Sequence, residues 1–131
     1  MIEFDKKAVG DFGEKWCEKY VKKKKRYKIL AKNKTLGHLE ADVIAYDKDY
    51  IIFIEVKTRR TDKNNLMRAS DAVNYDKRTN LIKFAYAFVK TLPQKFKTKI
   101  PRIDVCEVYV WADEKKLRVC DFNYIENAVT K

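Results

Sequence analysis

Leu39-Glu40-Ala41-Asp42-Val43-Ile44-Ala45-Tyr46, the break Asp47-Lys48-Asp49, and Tyr50-Ile51-Ile52-Phe53-Ile54-Glu55-Val56-Lys57 form the stretch on which the fold turns. Two runs rich in Val, Ile, Phe and Tyr flank a short polar turn, the pattern of an antiparallel hairpin. Side chains alternate along a strand, so Leu39, Ala41, Val43 and Ala45 are expected on one face and Glu40, Asp42, Ile44 and Tyr46 on the other. On the second strand Ile52, Ile54 and Val56 oppose Ile51, Phe53, Glu55 and Lys57. A turn with Lys48 and Asp49 at its centre pairs Asp42 with Glu55 and Glu40 with Lys57. A three-residue loop would send Glu55 to the opposite face, so the arrangement depends on register.

Apart from the charges gathered at one end, the hairpin is apolar on both faces, which places it inside a sheet covered by helices on both sides. The neighbouring sequence supplies them. Apolar residues recur at helical spacing from Ala8 to Val21, and again from Val73 to Leu92, with Ser70 or Asn74 as N-caps and Pro93 as the stop. Arg26 to Lys32 alternates as an outer strand and is followed by a loop from Asn33 to His38. Thr58 to Asn65 reads as a basic loop, Ile103–Trp111 and Lys116–Phe122 as two further strands, and the tail from Asn123 as a short helix. The order α-β-β-β-α-β-β predicts a mixed α+β (α/β) domain spanning residues 1–131, with a central mixed sheet of about five strands flanked by helices.

Composition narrows the function. The 131 residues carry 30 Lys and Arg against 19 Asp and Glu, a net charge of +11, while 46% hydrophobic content excludes a disordered basic tail. Such a surface attracts polyanions, either nucleic acid or an anionic membrane face, and charge alone does not choose between them. The apolar run Tyr50–Ile54 is far short of the ~20 residues that cross a membrane, so a cytoplasmic protein without a membrane partner is expected. Cys17, Cys106 and Cys120 form no C-x-x-C pair and read as small core residues. His38 is the sole histidine and lies in an expected turn, which argues against Ser-His or Cys-His nucleophilic chemistry.

Asp42, Glu55, Glu40 and Lys57 carry the chemistry. Carboxylates drawn together into a low-dielectric interior repel one another and require a lysine, a metal ion or both. Hard oxygen ligands of this kind suit Mg²⁺ or Mn²⁺, with the Val56 carbonyl as an additional ligand. The Lys57 ammonium can orient water or stabilise charge developing on a phosphate. The competing account is an ordinary charge cluster at a sheet edge. The apolar run around Glu55 weighs against it, because a central strand has no use for an idle charge.

Asp42 followed thirteen residues later by Glu55-Val56-Lys57 resembles the PD-(D/E)xK pattern of restriction-endonuclease-like nucleases. The likeness extends to the YraN family of small nuclease-like proteins. Gly13-Glu14, Glu40-Ala41-Asp42-Val43-Ile44-Ala45, Phe53-Ile54-Glu55-Val56-Lys57-Thr58-Arg59, Lys77 and Arg102-Ile103-Asp104-Val105 stand in the order that family uses. The resemblance implies a restriction-endonuclease-like core in which Asp42 and Glu55 bind the metal, Lys57 assists hydrolysis and Glu14 points at the site from the first helix. The chain departs from it at Leu39, where a glycine is usual, and at Ala41, which replaces the isoleucine between the carboxylates and the proline of the superfamily's name.

Basic residues concentrate in Lys19–Lys34, in Lys57–Lys63 with Arg68, and in Lys95–Lys99 with Arg102. Arg59, Arg60 and Lys63 are placed to hold a sugar-phosphate backbone beside the metal, and Lys77, in the apolar stripe of the second helix, needs an anionic partner such as phosphate. Arg102 and Asp104 read as a structural pair. The expected activity is metal-dependent hydrolysis of DNA, or of RNA, in branched, damaged or single-stranded form during repair or recombination. The alternative is a nucleic-acid-binding module whose nuclease-like hairpin is only structural. The size is compatible with a homodimer spanning a duplex, although no coiled coil marks one.

Overall fold

The computed structural model describes residues 4–37, 39–61, 75–113 and 116–128, leaving aside the side chains of 75–79. Helix α1 (Lys6–Lys23) opens where the Asp5 carboxylate accepts the Ala8 N–H at 2.8 Å. It closes in Lys22 and Lys23, whose charges suit the negative end of the helix dipole. Strands β1 (Lys28–Leu36), β2 (Leu39–Tyr46) and β3 (Tyr50–Arg60) follow, then α2 (Tyr75–Val89), the single turn α3 (Gln94–Lys97), β4 (Ile100–Ala112) and β5 (Leu117–Ile125).

The strands form one sheet in the order β1-β2-β3-β4-β5. Neighbours are antiparallel except β3 and β4, which run parallel and so need the long crossover that contains α2. This is the expected mixed α+β architecture, consistent with a restriction-endonuclease-like fold. Val9, Cys17 and Val21 of α1 cover one face of the sheet, against Val43, Ile52, Ile54, Cys106 and Val108. Leu81, Phe84, Ala85 and Phe88 of α2 cover the other, against Ile44, Ile51, Phe53 and Ile103. Phe53 meets Phe84 and Phe88 edge-on at 6.0 Å each. Among the described residues no helix is long and apolar enough to cross a membrane.

The hairpin has the expected register. The Asp47 N–H donates to the Tyr50 carbonyl at 3.1 Å, and Asp47 Oδ1 accepts the N–H groups of Asp49 and Tyr50 at 2.9 and 2.7 Å. The Lys99 ammonium donates to the carbonyls of Asp47 and Lys48, which fixes the turn from outside. Val43 therefore faces Ile54, and Ile44 faces Phe53.

Several boundaries differ from the sequence reading. The face assigned to Leu39, Ala41, Val43 and Ala45 is split, because Leu39 and Ala41 pack on the α2 side while Val43 and Ala45 pack on the α1 side. Strand β2 bends at Asp42, where it leaves β3 but stays paired with β1 through Ala41 and Glu40. Thr58, Arg59 and Arg60 are strand rather than loop, since parallel pairing with Val108, Tyr109 and Val110 continues to that point. The expected loop from Asn33 is strand as far as Leu36. Pro93 does not stop α2, which ends at Val89, but stands at the N-cap of α3. The tail is strand to Ile125, held by pairing of Tyr124 with Cys106. Cys17 and Cys106 are core residues as expected, whereas Cys120 is exposed because β5 is an edge strand. His38, Lys63, Arg68, Ser70 and Asn74 lie outside the described residues.

Arg102 and Asp104 form the expected structural pair. The guanidinium donates twice to the carboxylate, each bond 2.9 Å long, and stacks near the Tyr27 and Tyr50 rings. Asp104 is fully buried and also accepts the Tyr124 hydroxyl at 2.6 Å and the Asn127 N–H at 2.9 Å. Arg102 thereby serves the β4–β5 closure.

Candidate functional site

The ladder between β2 and β3 ends at Val43–Ile54, one residue short of the expected Asp42–Glu55 pair. Beyond it the Val56 N–H donates to Asp42 Oδ2 at 2.9 Å, so a carboxylate stands where a strand carbonyl would be. Glu55 is buried at 5% exposure between β2 and β4, with its backbone beside Val105. Lys57 Nζ lies 3.8 Å from Glu55 Oε1, and the lysine side chain is only 12% exposed. The bend in β2 and the continued pairing of β3 with β4 thus bring Asp42, Glu55 and Lys57 together at the opening of the hairpin. Glu40 is exposed on β2 and pairs with Thr35 of β1.

A cleft of about 570 Å³ opens alongside, lined by Phe4, Lys6, Val9, Gly10, Glu14 and residues 56–60. It unites Glu14, Val56, Lys57, Arg59 and Arg60, while Asp42 and Glu55 are outside its lining. Gly13 is what lets α1 close over β3, because a Cβ there would stand 1.8 Å from Thr58 Oγ1. The next residue, Glu14, is thereby carried to the wall of the cleft. Burial raises its carboxyl above the usual range, a hydrogen bond with Asn33 opposes this, and the like charges of Asp11, Glu55 and Glu40 reinforce it. Arg59 donates to the Thr58 carbonyl at 3.4 Å and Arg60 to the Phe4 carbonyl at 3.2 Å, each through one of five guanidinium donors. Lys77 is in the first turn of α2, and its side chain is outside the description.

Glu107 escaped the sequence reading. It is fully buried on β4, in register with Lys57, and alternation gives it the same face as Glu55 and Lys57. Its Oε1 accepts Asn123 Nδ2 at 3.2 Å, and among the described residues its Oε2 has no hydrogen-bond partner. An acid inside Val105-Cys106-Glu107-Val108 was the available signal, the same one that marked Glu55.

The donor types suit Mg²⁺ or Mn²⁺. Mg²⁺ is commonly held by one or two carboxylates completed by substrate phosphate and water, and Asp42 and Glu55 supply hard oxygens of that kind. Among the described residues no three His, Cys, Asp or Glu side chains converge to form a cation site by themselves.

Comparison with known sequences places the chain. The model of "Uncharacterised protein family UPF0102" matches residues 13–108, from the Gly13–Thr58 contact to the middle of β4. A UPF0102 protein of Caldanaerobacter subterraneus subsp. tengcongensis is 39% identical over 128 residues, covering 98% of this chain and 99% of the relative. UPF0102 proteins of Clostridium acetobutylicum and Caldicellulosiruptor saccharolyticus are 38% and 37% identical, covering 98% and 95% of this chain and 98% of each relative. The chain belongs to the UPF0102 family.

Proposed function

We propose that the protein is a metal-dependent phosphodiesterase acting on DNA, in structured, branched or single-stranded form. The observation that carries this reading is the opening of the hairpin at Asp42, with buried Glu55 and Lys57 beside it and a cleft bearing Arg59 and Arg60 alongside. Hydrolysis adds water across one P–O bond and leaves a hydroxyl and a phosphate monoester. Mg²⁺ or Mn²⁺ held by Asp42, Glu55 and the Val56 carbonyl would lower the pKa of the attacking water and offset phosphate charge. Lys57 stabilises charge on the phosphate, and its low exposure strengthens that interaction relative to bulk water. Arg59 and Arg60 hold the sugar-phosphate backbone without reading bases. Glu14, at the cleft wall, is placed to accept a proton from water.

The test is incubation with fork, junction, single-stranded and duplex DNA in Mg²⁺ or Mn²⁺, comparing the native protein with Asp42→Asn and Lys57→Met. Metal-dependent cleavage lost in both variants supports the site, and cleavage unchanged in both overturns it. The second reading is a non-catalytic nucleic-acid-binding module whose nuclease-like hairpin is structural. It calls for salt-sensitive binding without cleavage.

A further inference from the structure

A row of aromatic rings lies on the flank of α1 that faces β5. Trp16 stacks on Tyr20 at 5.3 Å, with planes 11° apart, and Phe122 tilts against both at 4.8 and 5.0 Å. Tyr124 continues the row 5.7 Å from Tyr20, and the Lys25 ammonium sits 5.1 Å from its ring centre. Phe122 is 41% exposed on an edge strand, and Cys120, Asp121 and Asn123 around it are exposed as well. Covering Cys17 and Cys106 needs apolar volume but not four rings joined in one row, one of them open to water.

The charge around the row identifies the ligand class. At about 100° per residue, Lys23 and Lys19 project within roughly 20° and 60° of Trp16 on α1, and both are exposed. Lysine is depleted from protein–protein interface cores but is the usual companion of stacking rings where phosphate is bound. Of the acids near the row, Glu126 is paired with Lys25 at 3.0 Å and Glu18 with Lys32 at 3.1 Å, while Asp121 accepts the Phe122 N–H at 2.8 Å and keeps its charge. Phe122 pairs with Val108, and Val108 pairs with Thr58 at the wall of the cleft. Two strand spacings, about 10 Å, therefore separate Phe122 from Thr58 through the sheet beneath α1, and the helix lies between the row and the cleft. A single strand joining the two passes around α1 and so spans more than about three nucleotides at ~3.4 Å each.

We propose that Trp16, Tyr20, Phe122 and Tyr124 form a base-stacking surface for a single-stranded nucleic acid whose backbone continues into the Lys57–Arg60 cleft. Ring faces accept any base, while a duplex keeps its bases stacked within itself, so the surface selects single strands without selecting sequence. The inference rests on the phosphodiesterase reading for what happens in the cleft, but not for binding.

The experiment is fluorescence anisotropy in EDTA, where metal-dependent cleavage cannot occur, using labelled oligo-dT and a duplex of equal length with the full chain. Phe122→Ala is expected to weaken oligo-dT binding about tenfold and leave duplex binding unchanged. Phe122→Leu should behave like Phe122→Ala, and Phe122→Tyr like the native protein, with melting temperature as the control for folding. In a Trp111→Phe background, oligo-dT should quench the Trp16 emission. Native-like oligo-dT binding by Phe122→Ala and Phe122→Leu overturns the proposal, as does an equal loss of duplex binding. A dimer that Phe122→Ala converts to monomer with DNA binding unchanged also overturns it and assigns the row to a second copy. Because no metal is present, failure here is distinct from failure of the cleavage test.

Discussion

Gly13→Ala sets helix propensity against packing, and the structure decides the outcome. Alanine is the better helix former by about 1 kcal/mol, so at an open position this change would stabilise α1. Here the new methyl would stand 1.8 Å from Thr58 Oγ1 and 2.8 Å from both Thr58 Cγ2 and Cβ. Rotation about the Thr58 χ1 bond moves Oγ1 and Cγ2, but Cβ belongs to the backbone frame and remains at 2.8 Å. The helix must therefore rise from β3 by several tenths of an ångström, carrying Glu14 with it. Overpacking costs about 1–3 kcal/mol and, because the Cβ contact cannot rotate away, the upper half of that range applies; less the ~1 kcal/mol gained from alanine, the expected net loss is about 1–2 kcal/mol, or ~3–8 °C in Tm for a chain of this size. Urea unfolding of Gly13→Ala, Thr58→Ala and the double variant gives the coupling. The penalty should shrink when Thr58 is shortened, although the remaining Cβ keeps it from vanishing. A neutral or stabilising Gly13→Ala in the native background would refute the close approach and, with it, the account of how Glu14 reaches the cleft.

Three further outcomes follow from single side chains. Asp42→Ala leaves the Val56 N–H without its acceptor and is expected to cost about 1–3 kcal/mol in urea unfolding, whereas Asp42→Asn keeps an acceptor and costs less than about 1 kcal/mol; equal losses would show that the carboxylate does not cap β3. Glu107→Met exchanges a buried, half-satisfied carboxyl for apolar volume and should raise stability by about 1–2 kcal/mol, or ~3–8 °C in Tm, with exposed Asn123 turning to water; a lower Tm would mean that Glu107 is better satisfied than its contacts indicate. For Glu14 the folded pKa is raised, so its contribution to stability is fully present below the ordinary carboxyl value and is lost as pH rises through the folded value. The Tm of Glu14→Gln minus that of the native protein should therefore increase from pH 4 to pH 7, and a flat or falling difference would contradict the burial of that carboxyl.

Sequence periodicity reached the hairpin because its determinants are local. Asp47 hydrogen-bonds its own turn, and the continuous apolar run through β3 admits only a strand buried on both faces. The bend at Asp42 was not legible, since it arises from a choice between partners: β2 follows β1 and leaves β3. The same kind of tertiary competition lengthened β3, where Thr58 to Arg60 look like a basic loop but find Val108 to Val110 running parallel. In sequence Pro93 signals a stop because its missing N–H cannot continue a helix, yet that property equally suits the start of α3. Of the expected site, Asp42, Glu55 and Lys57 lie together at the opening of the hairpin and Glu14 lines the adjoining cleft, each brought there by contacts between elements distant in sequence. Their residue types were visible, but the role of Gly13 appears only once Thr58 lies opposite it.

Glu107 bears on why the sheet carries charge at its centre at all. Two parallel neighbours, β3 and β4, each interrupt an apolar run with one buried glutamate on the same face, and Lys57 lies in register with the second of them. A central strand selected for stability alone would place Val or Ile at both positions, because a buried acid is worth less than well-packed apolar volume, most of all at Glu107, whose Oε2 has no hydrogen-bond partner among the described residues. A lone buried glutamate could compensate a neighbouring cation, but Lys57 is a single ammonium and Glu55 already lies 3.8 Å from it. The second acid therefore exceeds what neutralising Lys57 requires. The acid stands on a strand paired on both sides, so it is not a device that protects a sheet edge from aggregation. If Glu107→Met proves more stable while single-strand binding in EDTA is unchanged and cleavage falls, the acid serves the chemistry and the aromatic row serves the grip, two functions that the same sheet supports through different strands.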